Sequence, residues 1–153
     1  MGELAQRGQR RLWLEKLERP YHFVSPFGGS EFVVLILAED RSITADEQMS
    51  VSQQLVSQGC RYALAMGIDA SSWDTSIDLA YIQNDPRLEP AEDSFVMTTW
   101  HDDESPEEVA EWLIVNTAFD HFVPVNFLVL CLGSSEEQED RLTSAAIHHF
   151  LSR

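Results

Sequence analysis

The chain has 153 residues, of which 44% are apolar, and these values are typical of one globular domain rather than a disordered chain. Its 26 acidic and 10 basic residues give a net charge of −16, which repels phosphate backbones and excludes direct nucleic-acid binding as the main function. The longest strongly apolar run, 32–38, is much shorter than a membrane-spanning helix. Because no secretory signal is recognisable, we expect a cytoplasmic protein.

The negative charge is unevenly spread along the chain. Residues 1–19 carry a net charge of +2, whereas the remaining 134 residues carry −18 and contain no lysine. Acidity of this kind either promotes solubility or attracts cationic partners and metal ions. The two cysteines, Cys60 and Cys131, lie in or beside apolar runs, which favours free buried thiols in a reducing compartment.

The N-terminal part has the least regular pattern. Residues 4–19 fit a helix that carries Leu12, Trp13, Leu14 and Leu17. The stretch 21–30 is expected to be extended or looped, with an edge strand at 21–24 as an alternative. We expect residues 1–30 to belong to the same domain as residues 31–153.

A fourfold alternation of apolar strand and helix dominates the rest of the chain. The predicted strands cover, in chain order, 32–38, 62–66, 94–99 and 127–132. Their apolar runs are nearly continuous, as in parallel sheets that are covered by helices on both faces. The sequence therefore predicts an α/β three-layer sandwich with a mainly parallel sheet of four or five strands in a flavodoxin-like or Rossmann-like order. The residues expected to be buried in these strands are Val34, Ile36, Leu64, Val96, Leu128 and Leu130.

Each predicted strand is followed by a signal that starts a helix. Three signals are capping boxes, which begin at Thr44, Ser105 and Ser135 and satisfy free backbone amides at the helix end. Either Ser71 or Ser72 is expected to cap the helix after the second strand. Right-handed crossovers then place helices on both faces, and we expect the four strands in the order 2-1-3-4.

Acidic side chains follow three of the four predicted strands. Glu39 and Asp40 follow the first strand, and Asp69 follows the second. The third strand ends in the run Trp100, His101, Asp102, Asp103 and Glu104. Ligands of open parallel sheets bind beyond the carboxyl ends of the strands, so these side chains are the candidate site. Acids at helix N-termini also stabilise the helix dipole, which is the purely structural alternative.

Signatures of several enzyme classes are absent from the sequence. It contains no phosphate-binding loop with Gly-Lys-Ser or Gly-Lys-Thr, no GxGxxG and no Gly-x-Ser-x-Gly nucleophile elbow. Glu39-Asp40 resembles the acidic pair of phospho-acceptor receiver domains. The lysine that those domains carry after their last strand has no counterpart, because Lys16 is the only lysine in the chain. We therefore reject that family as a guide to function.

The stretch 95–105, FVMTTWHDDES, resembles a segment of an uncharacterised family of small bacterial α/β proteins. The resemblance extends over roughly residues 31–133. It implies no known activity, but it draws attention to Trp100 and His101. We expect Trp100 to be partly buried under a neighbouring loop.

Two functional hypotheses follow from these observations. The first is an acidic protein-interaction domain without a cofactor that binds a cationic protein partner, as an immunity or inhibitor protein binds a toxin. Its candidate contact residues are Trp100, His101, Asp102, Asp103, Glu104 and Asp69. The second is a small metal-dependent hydrolase or phosphoryl-handling enzyme, with a divalent metal held by Glu39, Asp40, Asp69 and His101. The missing catalytic motifs favour the first hypothesis.

Overall fold

The computed structural model describes residues 2–153, which form six strands and four helices. The strands are β1 (Gly2–Arg7), β2 (Arg10–Leu17), β3 (Phe32–Ala38), β4 (Cys60–Gly67), β5 (Met97–His101) and β6 (Asn126–Leu132). The helices are α1 (Ala45–Ser57), α2 (Ala70–Gln83), α3 (Pro106–Val115) and α4 (Glu136–Leu151). In this part of the chain, no helix is long and apolar enough to cross a membrane.

All six strands belong to one sheet with the order β1-β2-β6-β3-β4-β5. Neighbouring strands from β2 to β5 are parallel, and β1 pairs antiparallel with β2. Helices α1 and α2 pack on one face, and α3 and α4 pack on the other. The prediction of an α/β protein with a mainly parallel sheet is confirmed, whereas the predicted count of four or five strands is too low.

The predicted strand order 2-1-3-4 is wrong. From β3 the chain adds β4 and then β5 on one side, and it returns with β6 to the other side of β3. The strand order therefore reverses between β3 and β6. Apolar runs show that a strand is buried on both faces, but they carry no information about which strand lies beside it.

The predicted interior of the sheet is confirmed. Each of the six apolar residues expected in the strands is at most 2% exposed. Cys60 and Cys131 are both free and buried, as their apolar surroundings indicated. Burial raises the pKa of these thiols to about 12 and about 11, respectively, so neither is an activated nucleophile.

The predicted helix at 4–19 is wrong, because these residues form the hairpin of β1 and β2. Strand β2 extends the sheet beside β6 and is covered on both faces. Leu12 and Leu14 pack against the α3 and α4 side, and Trp13 and Leu17 pack against the α1 and α2 side. A strand that is apolar on both faces loses its period-two pattern, and its leucines then also fit a helix.

The segment 21–25 has no regular secondary structure, so the alternative edge strand at 21–24 does not form. Side-chain amides of α1 take the place of a strand partner. The backbone N–H of Phe23 donates to Gln54 Oε1 at 2.6 Å, and Gln58 Nε2 donates to the carbonyl oxygen of Phe23 at 2.8 Å. Gln58 Oε1 also accepts the N–H of Ser25 at 2.7 Å. Gln54 of α1 and Gln58, the residue that caps its C-terminal end, therefore fix this segment against the helix.

The three predicted capping boxes are confirmed at Thr44, Ser105 and Ser135. The expected cap of α2 is wrong, since Ser71 and Ser72 lie inside the first turn of the helix. Helix α2 begins after Asp69, a residue with φ +50°, whose side chain makes no capping hydrogen bond to the described residues. A left-handed turn after β4 thus starts the helix earlier than the serine pattern indicates.

Candidate functional site

Asp40 lies at the point where the strand order reverses, and its carboxylate is fully engaged by the chain itself. It accepts hydrogen bonds from the hydroxyl of Tyr21, and from the N–H and hydroxyl of Ser42 at 2.8 and 2.7 Å. The guanidinium of Arg19 lies 3.2 Å away. The Tyr21 hydrogen bond is the main cause that lowers the pKa of Asp40 to about 2. Asp40 therefore anchors the N-terminal segment to the sheet.

The turns around this crevice pack closely against each other. A Cβ atom at Gly133, after β6, would lie 2.9 Å from the Cα of Asp40. A Cβ atom at Gly67, after β4, would lie 2.2 Å from the carbonyl oxygen of Ala38. The crevice in which open α/β sheets usually bind ligands is thus filled by backbone and by the Tyr21 segment.

Glu139 of α4 is a buried carboxylate that the sequence did not single out. Its side chain accepts a hydrogen bond from the hydroxyl of Ser134 at 2.7 Å and lies 2.9 Å from Nζ of Lys16 on β2. The hydrogen bond to Glu139 is the main cause that raises the pKa of Lys16. The only lysine of the chain therefore pairs with a buried acid, and its position inside an apolar strand was the available signal.

His101 is buried and turned towards α3. Its Nδ1 atom contacts the carboxylate of Glu104, and its Nε2 atom lies 2.9 Å from the hydroxyl of Thr99. The ring packs edge-on against Trp112 of α3, with centroids 5.2 Å apart. Both ring nitrogens thus have partners within the fold, which fits a structural role for His101 and Glu104 better than direct contact with a ligand.

The structure does not bring the four predicted metal ligands together. Within residues 2–153, no group of three or more His, Cys, Asp or Glu side chains has the geometry to hold a metal ion. Asp40 is bound by Tyr21, His101 by Glu104, and Asp69 is exposed in the turn before α2. Glu39 is half-buried, and its Oε1 atom lies over Gly67.

Trp100 lies on β5 at the edge of the sheet, and its side chain is 49% exposed. About half of Trp100 is thus covered, which is less than a ring tucked under a neighbouring loop would be. Trp100 points to the same face as Thr98, two residues earlier, and the hydroxyl of Thr98 donates to Asp78 of α2 at 3.1 Å. The indole thus lies on the α2 side of the sheet.

Carboxylates lie on the chain segments that flank the Trp100 face of β5. Asp102 and Asp103 are exposed directly after β5, and Asp78 of α2 is exposed beside Thr98. Desolvation and then the nearby charge of Asp74 raise the pKa of Asp78. We call the residues Asp74, Asp78, Thr98, Trp100, Asp102 and Asp103 the β5 surface. This surface combines an aromatic ring with negative charge. Within residues 2–153, none of its carboxylates forms an ion pair with a basic residue.

A separate cavity of about 840 Å³ opens at the other end of the sheet, near the starts of β3, β4 and β6. Its carboxylates come from three separate segments, namely Glu31, Glu92, Asp93 and Asp120. Arg61 also lines it, but this guanidinium pairs with Glu31 at 2.6 Å and lies over the ring of Phe122. The cavity thus has room and charge for a cationic group. No local sequence pattern indicated it, because the acids are dispersed along the chain.

Comparison with known proteins assigns a family but no activity. The model of the family DUF7684, a domain of unknown function, matches residues 14–149. No curated protein matches the chain. The match runs from β2 into α4, and it confirms the predicted resemblance to an uncharacterised family while extending it beyond residues 31–133.

Proposed function

We propose that this chain, which belongs to the DUF7684 family of unknown function, is an acidic protein-interaction domain that binds a basic protein partner at the β5 surface. The observation that carries the proposal is the indole of Trp100, which is 49% exposed on an edge strand among carboxylates. Tryptophan is enriched at binding hot spots, because burying its large ring in a complex releases much apolar surface from water.

The chemistry of the β5 surface fits arginine and lysine side chains. A guanidinium stacked on the Trp100 ring would gain a cation–π contact. The exposed carboxylates of Asp102 and Asp103, which directly follow β5, would accept hydrogen bonds from basic side chains of the same partner. Asp78 adds a further acceptor on the α2 side. An acidic or neutral partner would gain none of these contacts.

The charge of the whole molecule supports the same class of partner. A net charge of −16 attracts a basic protein over a distance of about 10 Å at 0.1 M salt and speeds its association. A basic toxin that cleaves nucleic acids has the required chemistry. An immunity or inhibitor role, in which the acidic domain covers the toxin's phosphate-binding surface, is the specific form of this proposal.

The alternative proposal, a metal-dependent hydrolase, requires Glu39, Asp40, Asp69 and His101 to converge on one ion. Asp40 and His101 instead have separate partners in the fold, Tyr21 and Glu104. The two proposals differ in a simple measurement. A divalent ion that raises the melting temperature at micromolar concentration would support the enzyme, whereas the interaction domain is expected to be indifferent to it.

Charge reversal at the β5 surface tests the proposed function. We expect Asp102→Arg combined with Asp103→Arg to weaken the binding of an oligo-arginine peptide by about tenfold, because the peptide loses two attractive charges and meets two repulsive ones. Isothermal titration calorimetry measures this affinity. Trp100→Ala is expected to weaken binding in the same direction.

The matched control is Glu137→Arg combined with Asp140→Arg, two exposed positions on α4 that change the net charge by the same amount. The control is expected to weaken binding by much less than the β5 variant. Equal losses of affinity in both variants would mean that the peptide responds to net charge alone. That result would contradict binding at the β5 surface.

A further inference from the structure

We infer that the basic partner binds by adding an extended segment to the free edge of β5, as a further strand of the sheet. This inference rests on the proposed function and specifies how the partner is held. Within residues 2–153, β5 has a strand neighbour on one side only, namely β4. Alternate residues of an edge strand direct their N–H and C=O groups outward, where a second chain can pair with them.

Strand β5 lacks the features that usually protect an edge. Its sequence, MTTWH, contains no proline, glycine, lysine or carboxylate, and its pairing with β4 is regular from Met97 to His101. The opposite edge of the sheet differs. Strand β1 has an irregular register between Glu3 and Ala5 and ends in Arg7, whose guanidinium contacts the C-terminal end of α4. The free edge of β5 is therefore the one suited to strand addition.

The side chains of β5 suit a paired strand. Threonine and tryptophan favour extended backbone, and Thr98 and Trp100 lie on one face. A residue of an added strand opposite Trp100 would pack against the exposed indole, since facing residues of paired strands have Cβ atoms about 5 Å apart. Phe95 contacts Tyr81 and Phe119 before β5 begins. Along β5 itself, Thr98 and Thr99 are half-buried and Trp100 is exposed.

Charge determines which kind of strand fits. Asp74 and Asp78 lie beside the edge on α2, and Asp102 and Asp103 lie beyond its end. An added strand with arginine or lysine at alternate positions would face these carboxylates. A second copy of this chain has the same charge of −16, so repulsion disfavours a dimer formed through β5.

Two peptides of alternating arginine and valine test the inference with the intact protein. One has an ordinary backbone, and the other is N-methylated at alternate residues, which removes hydrogen-bond donors without changing the charge. We expect the ordinary peptide to bind about tenfold more tightly than the methylated one. We also expect it to slow hydrogen exchange of the outward amides in Met97–His101.

The outcomes separate the inference from the proposed function. Equal affinity of the two peptides, with no new protection in β5, would overturn strand addition while leaving capture of basic partners intact. Failure of both peptides and of oligo-arginine to bind would contradict both proposals. Protection of β5 without peptide, together with a dimeric mass in solution, would identify a second copy as the occupant and would also overturn the inference.

Discussion

At the scale of single residues, the contact between Tyr21 and Asp40 ties the N-terminal segment to the centre of the sheet. This hydrogen bond needs a neutral phenol and an ionised carboxylate. Burial, followed by the contact with Asp40, raises the pKa of Tyr21 to about 12, and the phenol in turn is the main cause that lowers the pKa of Asp40 to about 2. The contact is thus intact over the whole neutral range.

The pH dependence of stability tests this contact. The pKa of Asp40 is lower in the folded chain than its ordinary value of 3.8. The contribution of Asp40 to the free energy of unfolding is therefore present above pH 3.8 and is lost as the pH falls towards 2. We therefore expect the difference in unfolding free energy between the wild type and Asp40→Asn to shrink between about pH 4 and about pH 2. Urea unfolding at a series of pH values measures it.

The control for this prediction is Tyr21→Phe, which removes the phenol hydroxyl but keeps the ring. In that background, Asp40→Asn is expected to have a smaller effect at neutral pH, because its main partner is already gone. The pKa of the Tyr21 phenol is shifted in the opposite direction, so its effect on stability has the opposite pH dependence. The contribution of the phenol to the free energy of unfolding is present below its ordinary pKa of 10.0 and is lost as the pH rises towards 12. Parallel pH profiles for the wild type and Asp40→Asn would show that the contact contributes nothing.

At the scale of elements, the connections after β3, β4 and β6 determine whether a ligand can enter at the carboxyl ends of the strands. Gly67 ends β4 with φ +100°, and the carbonyl oxygen of Ala38 occupies the place of its missing side chain. This close approach joins the ends of β3 and β4. At the crevice between β3 and β6, Gly133 packs in the same way against the backbone of Asp40. Further along the same end of the sheet, Asp102 and Asp103 are exposed where β5 ends.

Gly67→Ala tests this close packing. The alanine would have both an unfavourable φ and a Cβ atom 2.2 Å from a backbone oxygen, so we expect a loss of about 2 kcal/mol or more in unfolding free energy. Urea denaturation gives the value. The matched control is Gly29→Ala, where a Cβ would meet no described atom within 4 Å and a change of about 1 kcal/mol or less is expected. Similar losses at the two positions would contradict the packing described for β3 and β4.

The sequence allowed the central strands to be predicted well, for a physical reason. Strand β3 was predicted with its observed boundaries, because burial on both faces makes the run from Phe32 to Ala38 continuously apolar. The hairpin of β1 and β2 was missed, since Leu12 and Trp13 pack on opposite faces and leave no alternating pattern. Strand order was missed because it depends on contacts between distant segments.

The candidate site was predictable only in part. The acidic run after β5 was identified by its position at a strand end, and Asp102 and Asp103 are indeed exposed there. The exposure of Trp100 was not predictable, because it follows from β5 being an edge strand, and the sequence does not reveal strand order. The pairing of Lys16 with Glu139 joins residues far apart in the chain. The apolar stretch around Lys16 indicates that this lysine needs a partner, but it does not identify Glu139.

At the scale of the whole molecule, charge and fold favour the same type of partner. The chain carries −16, and the acids of its β5 surface lie beside an exposed indole rather than beside basic residues. An attraction of this kind acts between exposed charges, and added salt screens it beyond about 10 Å at 0.1 M ionic strength. The affinity for a basic ligand must therefore depend on salt.

The most direct test of the central claim is the affinity of the wild-type protein for oligo-arginine, measured by calorimetry at low and at high sodium chloride. Capture by the acidic surface predicts that the dissociation constant rises about tenfold or more between about 50 mM and about 300 mM salt, because the attraction is screened. An affinity that stays constant or becomes tighter at high salt would contradict the assignment of this protein as an acidic domain that binds basic partners.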